Sequence, residues 1–250
     1  MTQDQAKNAG MNSQMFNSFL DGTKSALEMA AIANASGLNA PSDGLLFPPA
    51  GMDDLSHVLR PRHEGGQLEH RGQVEVVSSL ERDGRPVFKD LRWGVYVVIE
   101  APNEYAAACF KQYGMNTDET GKYSAMFKPF HLIGLELNTS ILSAGLLGKA
   151  TGSTREFRAD VVAVAKRNIN KGEVLDGEGG GTVWGKLMPA SASTAANALP
   201  IGLAHHAVVT RQLKTDDMLT WQDVDFVNAP DLLENAVAER RYMETHLSDL

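Results

Sequence analysis

The stretch Asp21-Gly-Thr-Lys24-Ser-Ala-Leu-Glu28 sets two carboxylates, two hydroxyls and an ammonium at the start of one helix. Lys24 and Glu28 stand four apart and share a helix face. Either they form a surface ion pair, or Lys24 stands in a cleft and holds an anionic or carbonyl oxygen while Glu28 orients it. Partial burial would move such a lysine toward acid–base work. Asp21 is a cap for the helix or, in the second reading, a contact for the substrate. A second constellation is Lys128-Pro-Phe-His131 with Glu136 and Asn138. On a helix, His131 and Asn138 are seven apart and lie on one face, and Gly134 between them leaves room for a ligand; His131 can equally be a capping residue. Glu136 is a carboxylate in apolar surroundings and needs a partner, for which Lys24 or Lys128 would serve. Glu100, at the end of an apolar strand, poses the same question.

His63-Glu64 and Glu69-His70 flank Gly65-Gly66. Two imidazoles and two carboxylates make a possible divalent-metal set, yet nothing in a glycine-rich loop fixes their geometry, so no metal is assigned. The better functional reading is a mobile loop, with Arg60, Arg62 and Arg71 closing on an anionic substrate. A dinucleotide fingerprint needs G-x-G-x-x-G between a strand and a helix. The glycine cluster fails it: counting six from Gly177 reaches Thr182, and from Gly179 it reaches Trp184. Gly148-Lys149 likewise lacks the first glycine of a phosphate loop, Ser143 standing there.

These groups must be positioned by a chain of 250 residues with 43% hydrophobic and 22% charged residues, enough for a substantial core. The net charge of −8 argues against a nucleic-acid partner. Cys109 is the only cysteine, so no internal disulfide forms. The polar start lacks the apolar core of a signal peptide, and the longest apolar segment, Phe130 to Leu147, is broken by His131, Glu136 and Asn138. No membrane association and a cytoplasmic location are expected.

Residues 1–20 carry no strong helix signal. A helix is predicted over Thr23–Ser36, stopped by Gly37, and a short one near Met52–Leu59. Val74 onward alternates into a hairpin turning at Asp83-Gly84, and Leu91–Ile99 is apolar enough to be a central strand. Asn103–Tyr113 is a helix capped at Asn103, and Phe130–Gly148 a long buried helix. Beyond a boundary near Lys149–Glu156, Ala163–Leu175 repeats as Ala207–Leu219 at an offset of 44 residues, giving a small β domain of approximate two-fold symmetry. His205-His206 is read as its surface, and 230–247 as a terminal amphipathic helix. The whole is an α+β fold: residues 1–150 a mixed helix and antiparallel-sheet domain, 151–228 the small β domain, 229–250 the terminal helix.

Four segments in order carry a resemblance: Phe19-Leu-Asp-Gly-Thr-Lys-Ser, Asp90-Leu-Arg-Trp-Gly-Val-Tyr-Val-Val, Lys128-Pro-Phe-His-Leu-Ile-Gly-Leu-Glu and Gly172-Glu-Val-Leu-Asp-Gly-Glu-Gly-Gly. Together they resemble the DRL-type oxidoreductases, relatives of homoserine dehydrogenase that include an NADPH-dependent, deoxyxylulose phosphate reductoisomerase-like activity. The C-terminal repeat resembles a SAF domain of the β-clip type. The resemblance implies a catalytic portion acting on a small polyhydroxylated or phosphorylated carbonyl compound in isoprenoid or sugar metabolism. It implies NADP or NAD as cofactor, carried by a Rossmann domain outside this sequence, on a separate chain or lost by truncation. On the chemical reading above, Lys24, His131 and Glu136 are the catalytic candidates. Asp21, Arg62, His63, Lys128 and Asn138 are the substrate-binding ones. The small-residue face of the first long helix is what a homodimer would use. The competing expectation is a non-catalytic remnant that binds a ligand or a partner.

Overall fold

A computed structural model describes residues 3–226 together with 235–236, 238–240, 242–243 and 246. In chain order its elements are helices α1 (Gln3–Asn8), α2 (Ser13–Leu20), α3 (Thr23–Ser36) and α4 (Leu55–Val58), strand β1 (Val95–Glu100), helix α5 (Glu104–Gln112), strands β2 (Asn116–Thr117) and β3 (Tyr123–Lys128), helix α6 (Leu137–Leu147), strands β4 (Ala159–Ala165) and β5 (Val183–Pro189), helix α7 (Ala190–Ala195), and strands β6 (Val208–Val209) and β7 (Val224–Asp225). This is an α+β fold. Two compact units form, residues 1–45 with 154–250 and residues 46–153.

In the first unit β4 and β5 pair antiparallel from Ala159↔Pro189 to Ala165↔Val183, and every residue of β4 is buried. Helix α3 packs on this ribbon and runs Thr23–Ser36 as expected, ending at Gly37 in the left-handed region at φ 79°. Ala26, Ala30 and Ala33 form its buried face. A methyl added at Gly185 would lie 2.7 Å from Val161 Cγ1 and 2.9 Å from Thr23 Cγ2, so glycine there permits the close approach. Both ends of the helix are stitched to the strands. Gly185 N donates to Thr23 Oγ1 at 2.8 Å. The Asn34 side chain accepts from Arg158 N at 2.8 Å and Ala159 N at 2.9 Å, and donates to Ala159 O at 3.0 Å. The small residues that were expected to serve a second copy are therefore spent on the unit's own sheet.

Helices α1 and α2 form in residues 1–20, where no strong helix signal was read. Asn12 caps α2, its side-chain oxygen accepting from Gln14 N at 2.9 Å and Met15 N at 3.2 Å. The 44-residue repeat is visible as paired hydrogen bonds. Ile169 and Leu213, equivalent positions, exchange both of theirs at 2.9 Å. Ala165 N donates to Asp217 O, and its counterpart Val209 N to Glu173 O; Leu219 N reaches Ala163 O as Leu175 N reaches Ala207 O. Gly172 and Asp216 occupy the matching turn position, both at positive φ. The terminal helix expected over 230–247 falls largely outside the described residues. Arg240 is described there, buried and paired at 2.7 Å with Asp160, which also accepts from Ser193 Oγ at 2.6 Å.

In the second unit a three-stranded antiparallel sheet has the order β1-β3-β2, and α4 packs on it in a core that joins its Leu55 to Leu59, Leu68 and Ala125 of β3. Strand β3 is central and β1 lies at an edge, which reverses the expectation for Leu91–Ile99. The reason is a strand the alternation did not reveal: Tyr123, Ser124 and Ala125 are all buried and the next three residues exposed. The expected hairpin is reduced to an isolated bridge, Leu80↔Pro86, around the Asp83-Gly84 turn. Pro86 has no N–H for a ladder. Glu75 points inward, its carboxylate accepting from Leu46 N at 3.0 Å. Asn103 caps helix α5, its side-chain oxygen accepting from Ala106 N at 2.9 Å. The long helix is also shorter than expected, because Gly134 takes φ 84° and helix begins only at Leu137. Its apolar residues are exposed, not buried, Leu146 to 77%.

Asn34 satisfies three backbone groups, two of them buried, with one side chain, so Asn34→Ala leaves them unpaired and should cost about 3 kcal/mol. Urea unfolding followed by circular dichroism measures it; a loss below about 1 kcal/mol would show that the stitch is dispensable.

Candidate functional site

The 3.6-residue period that turns Thr23, Ala26, Ala30 and Ala33 of α3 inward turns Lys24, Leu27 and Glu28 outward. Within the first unit these three line a cavity of about 350 Å³ together with Asn12, Gln14, Met15 and Ser18 of the α2 region, and with Glu178 and His205 from the repeat-bearing part. Lys24 Nζ lies 3.9 Å from Glu28 Oε1, with side chains 28% and 50% exposed, and 4.8 Å from the centre of the Phe19 ring. So the ion pair foreseen from the spacing exists, and it is loose and faces a pocket. Among the described residues neither the Lys24 ammonium, the Glu178 carboxylate nor either His205 ring nitrogen has a hydrogen-bond partner.

The pocket wall on the repeat side is a glycine loop. Asp176 organises it, its carboxylate accepting from Gly181 N at 2.6 Å and Thr182 N at 3.0 Å. A side chain at Gly177 would overlap the His205 ring, and one at Gly179 the backbone of Gln14. Gln14 Nε2 donates to Asp176 O at 3.1 Å. His205 is exposed, as expected of the β-domain surface; what the sequence did not reveal is that this surface lines the pocket.

Asp21 lies in the same unit. One carboxylate oxygen accepts from Thr23 N at 2.9 Å and the other sits 2.6 Å from Lys166 Nζ, so it acts as a helix-start anion. The remaining candidates lie in the second unit. Lys128 pairs with Glu136, whose other oxygen accepts from Leu132 N at 2.7 Å; of the two partners foreseen for Glu136, Lys128 is the one observed. His131 is bonded to Trp93 O, its backbone N–H at 3.0 Å and Nδ1 at 2.9 Å. Since helix starts only at Leu137, His131 does not share a helical face with Asn138, which is exposed near the start of α6.

Arg62 and His63 share one exposed turn: Arg62 Nε donates to Gln67 O at 3.2 Å, and His63 Nε2 lies 3.3 Å from Glu64. The neighbouring arginines are committed, Arg60 to Asp118 at 3.0 Å and Arg71 to Glu64 and Glu100. Glu64 also accepts from Lys122 Nζ at 2.5 Å and Tyr123 Oη at 2.8 Å. The Lys122 bond above all, then that of Tyr123 and the Arg71 charge, hold its carboxyl down at about 2. Among the described residues no three ligating side chains are arranged to hold a metal ion, and no helix is long and apolar enough to cross a membrane.

Lys24, Glu28, Glu178 and His205 thus bring four ionisable side chains to one pocket of the first unit. Residues 1–137 match the family model of "Oxidoreductase DRL, catalytic domain". That is more than half of the chain, and the chain belongs to this family. It carries the catalytic portion of an oxidoreductase. No curated protein matches the chain.

Because Glu64 titrates below its ordinary 4.5 in the folded state, its stabilisation is complete above that value and is lost as pH falls toward about 2. Glu64→Gln should therefore lower the melting temperature at pH 7, with the gap from the parent protein closing between pH 4.5 and 2. A gap unchanged across that range would show that the Glu64 bonds to Lys122, Tyr123 and Arg71 do not contribute to stability.

Proposed function

We propose that these residues supply the substrate-binding and catalytic part of an NAD(P)H-dependent oxidoreductase acting on a small polyhydroxylated or phosphorylated carbonyl compound, in the manner of the deoxyxylulose phosphate reductoisomerase-like enzymes. The observation that carries the reading is Lys24, an unsatisfied ammonium in a pocket of sugar size, held there by a helix whose other face is locked to the sheet. Lys24 Nζ donates to the carbonyl oxygen and stabilises the negative charge that develops on it. Glu28 keeps the ammonium aimed, while Asn12 and Gln14 bind hydroxyls. His131, Glu136, Lys128, Arg62, His63 and Asn138, in the other unit, are kept in this reading as candidates for further substrate contacts.

A nicotinamide dinucleotide does not fit the described residues. The glycine-rich loop that might cradle a pyrophosphate has already given its Gly181 and Thr182 amides to Asp176. NADP or NAD would be held by a nucleotide-binding domain outside these 250 residues, on a partner chain or a further segment. A SAF-like identity for the repeat-bearing part and a cytoplasmic location belong to the same reading. So does a homodimer, formed through a surface other than the alanine face of α3.

Two measurements test it. Titrated into NADPH, the chain alone should leave the cofactor's fluorescence unchanged, and a change should appear once a nucleotide-binding partner is added; none in either case sinks the proposal. In the reconstituted enzyme Lys24→Ala should lower kcat by about 100-fold. Because the Lys24–Glu28 pair is partly exposed, stability should fall by less than about 1 kcal/mol. Unchanged turnover with a large loss of stability would make Lys24 a structural residue.

A further inference from the structure

Strand β1 stands at the edge of its sheet, and the backbone on its outer side is open. On one flank of β3 Lys122 O accepts from Ala101 N, and on the other Tyr123 O accepts from Asp118 N, which fixes the parity of the ladder. Val95, Val97 and Ile99, opposite Lys128, Met126 and Ser124, therefore bond to β3. The N–H and C=O groups of Tyr96, Val98 and Glu100 point outward, and among the described residues they meet no backbone partner. Such an edge is a template for another strand, and proteins ordinarily blunt it with lysine, proline or a bulge. β1 carries none of these: its residues VYVVIE stay in unbroken register with β3. Val95 and Val97 are exposed on one face, with Met126 beside them. At the head of the strand Trp93 is exposed too, held at φ 69°, a conformation that bulky residues avoid. Its carbonyl accepts from His131 N at 3.0 Å and lies 2.9 Å from His131 Nδ1, so the backbone that presents the indole is fixed.

What fits this edge can be read from the strand itself. Let a second copy run antiparallel to it about a two-fold axis at Val97. Tyr96 then pairs with Val98 of the partner subunit, and Val98 with Tyr96 of the partner subunit, so outward groups meet outward groups. On the exposed face Val97 meets its own counterpart and Val95 meets Ile99 of the partner subunit, β-branched pairs that pack well across strands. Glu100 is the one charged residue of the strand. It falls opposite Gly94 of the partner subunit, so no like charges are opposed and no side chain disturbs its pairing with Arg71 and Lys122. Moving the axis to Val98 would set Glu100 against Tyr96 and Val95 against the buried Ala101, and these matches would be lost. An unrelated strand meets the same conditions only by chance, whereas a copy of β1 meets them by symmetry.

We propose that the homodimer inferred above forms through β1, two copies pairing antiparallel about a two-fold axis at Val97, a proposal that rests on that homodimer reading. A pairing of this length, with Trp93 at each end, belongs to the small specific interfaces of about 1,200 Å2 in total, so the dissociation constant should be micromolar. It is tested on the full chain by sedimentation across about 1–100 μM. The parent chain should pass from monomer to dimer over that range. Val97→Lys sets two ammonium groups against each other on the axis and should remain monomeric. The Val97 side chain is exposed, and an unchanged circular dichroism spectrum and melting temperature establish that the variant folds. In a Cys109→Ser background, which removes the one native thiol, Val97→Cys should give a covalent dimer on oxidation. A non-hydrogen-bonded pair sets its Cα atoms about 4.5 Å apart, within disulfide reach. Val95→Cys should give none, because its two copies would stand about 14 Å apart along the strands. Dimerisation of Val97→Lys at the parent affinity, a cross-link through Val95→Cys, or none through Val97→Cys overturns the β1 pairing and leaves the homodimer standing. A parent chain that is monomeric throughout refutes the homodimer and this interface with it.

Discussion

Helix α3 lies as close to the β4–β5 ribbon as it does because its inner face is alanine and the strand opposite offers a glycine. That approach is also what lets Thr23 and Asn34, at opposite ends of the helix, reach backbone groups of the strands. Burial of methyl groups alone would leave a helix of this kind free to slide along the ribbon. Two directional stitches remove that freedom and set its rotation. Once the rotation is set, Lys24, Leu27 and Glu28 have one place to be. The pocket, its ammonium and the wall contributed by Gln14 and the glycine loop all follow from that single packing contact.

Electrostatics divides the molecule in a complementary way. In the second unit the cations with the right spacing to grip an anion are bonded to carboxylates of the same unit: Arg60 to Asp118, Arg71 to Glu64 and Glu100, Lys128 to Glu136. Such pairs hold loops in register and contribute modestly to stability when they are exposed. Lys24 differs because its nearest carboxylate is at ion-pair distance without a hydrogen bond. A charge that is present, accessible and incompletely matched is what a ligand can exploit.

Sequence reading recovered those parts of this arrangement that depend on local signals. Thr23–Ser36, with Gly37 as its stop, and the Asn103-capped helix were legible because capping and period act within a few residues. The 44-residue repeat was legible because symmetry leaves matched apolar positions, and its hydrogen bonds pair as the alignment requires. Helix α2 was missed although Asn12 advertised it, since the polar residues around Met15 and Phe16 diluted the apolar stripe. Strand β3 was missed because three consecutive buried residues erase alternation. The segment after Phe130 misled in the other direction: its apolar composition promised a buried helix, but Gly134 adopts a conformation that interrupts one. His205 could not be found locally at all, since what brings it to Lys24 is packing between segments some 180 residues apart.

The pairing of Asn34 with Ala159 spans 125 residues of chain. During synthesis at ~5–20 residues per second, α3 is made roughly ten seconds before the ribbon it needs. In that interval residues 46–153 can close their own core, so the chain order permits a nested assembly in which the unit formed by the two ends of the sequence is closed last. Loop-closure entropy grows only slowly with length, so the long interruption costs little at equilibrium. Its cost is kinetic, in a nascent chain whose alanine face stays bare until the ribosome has delivered the strands that cover it.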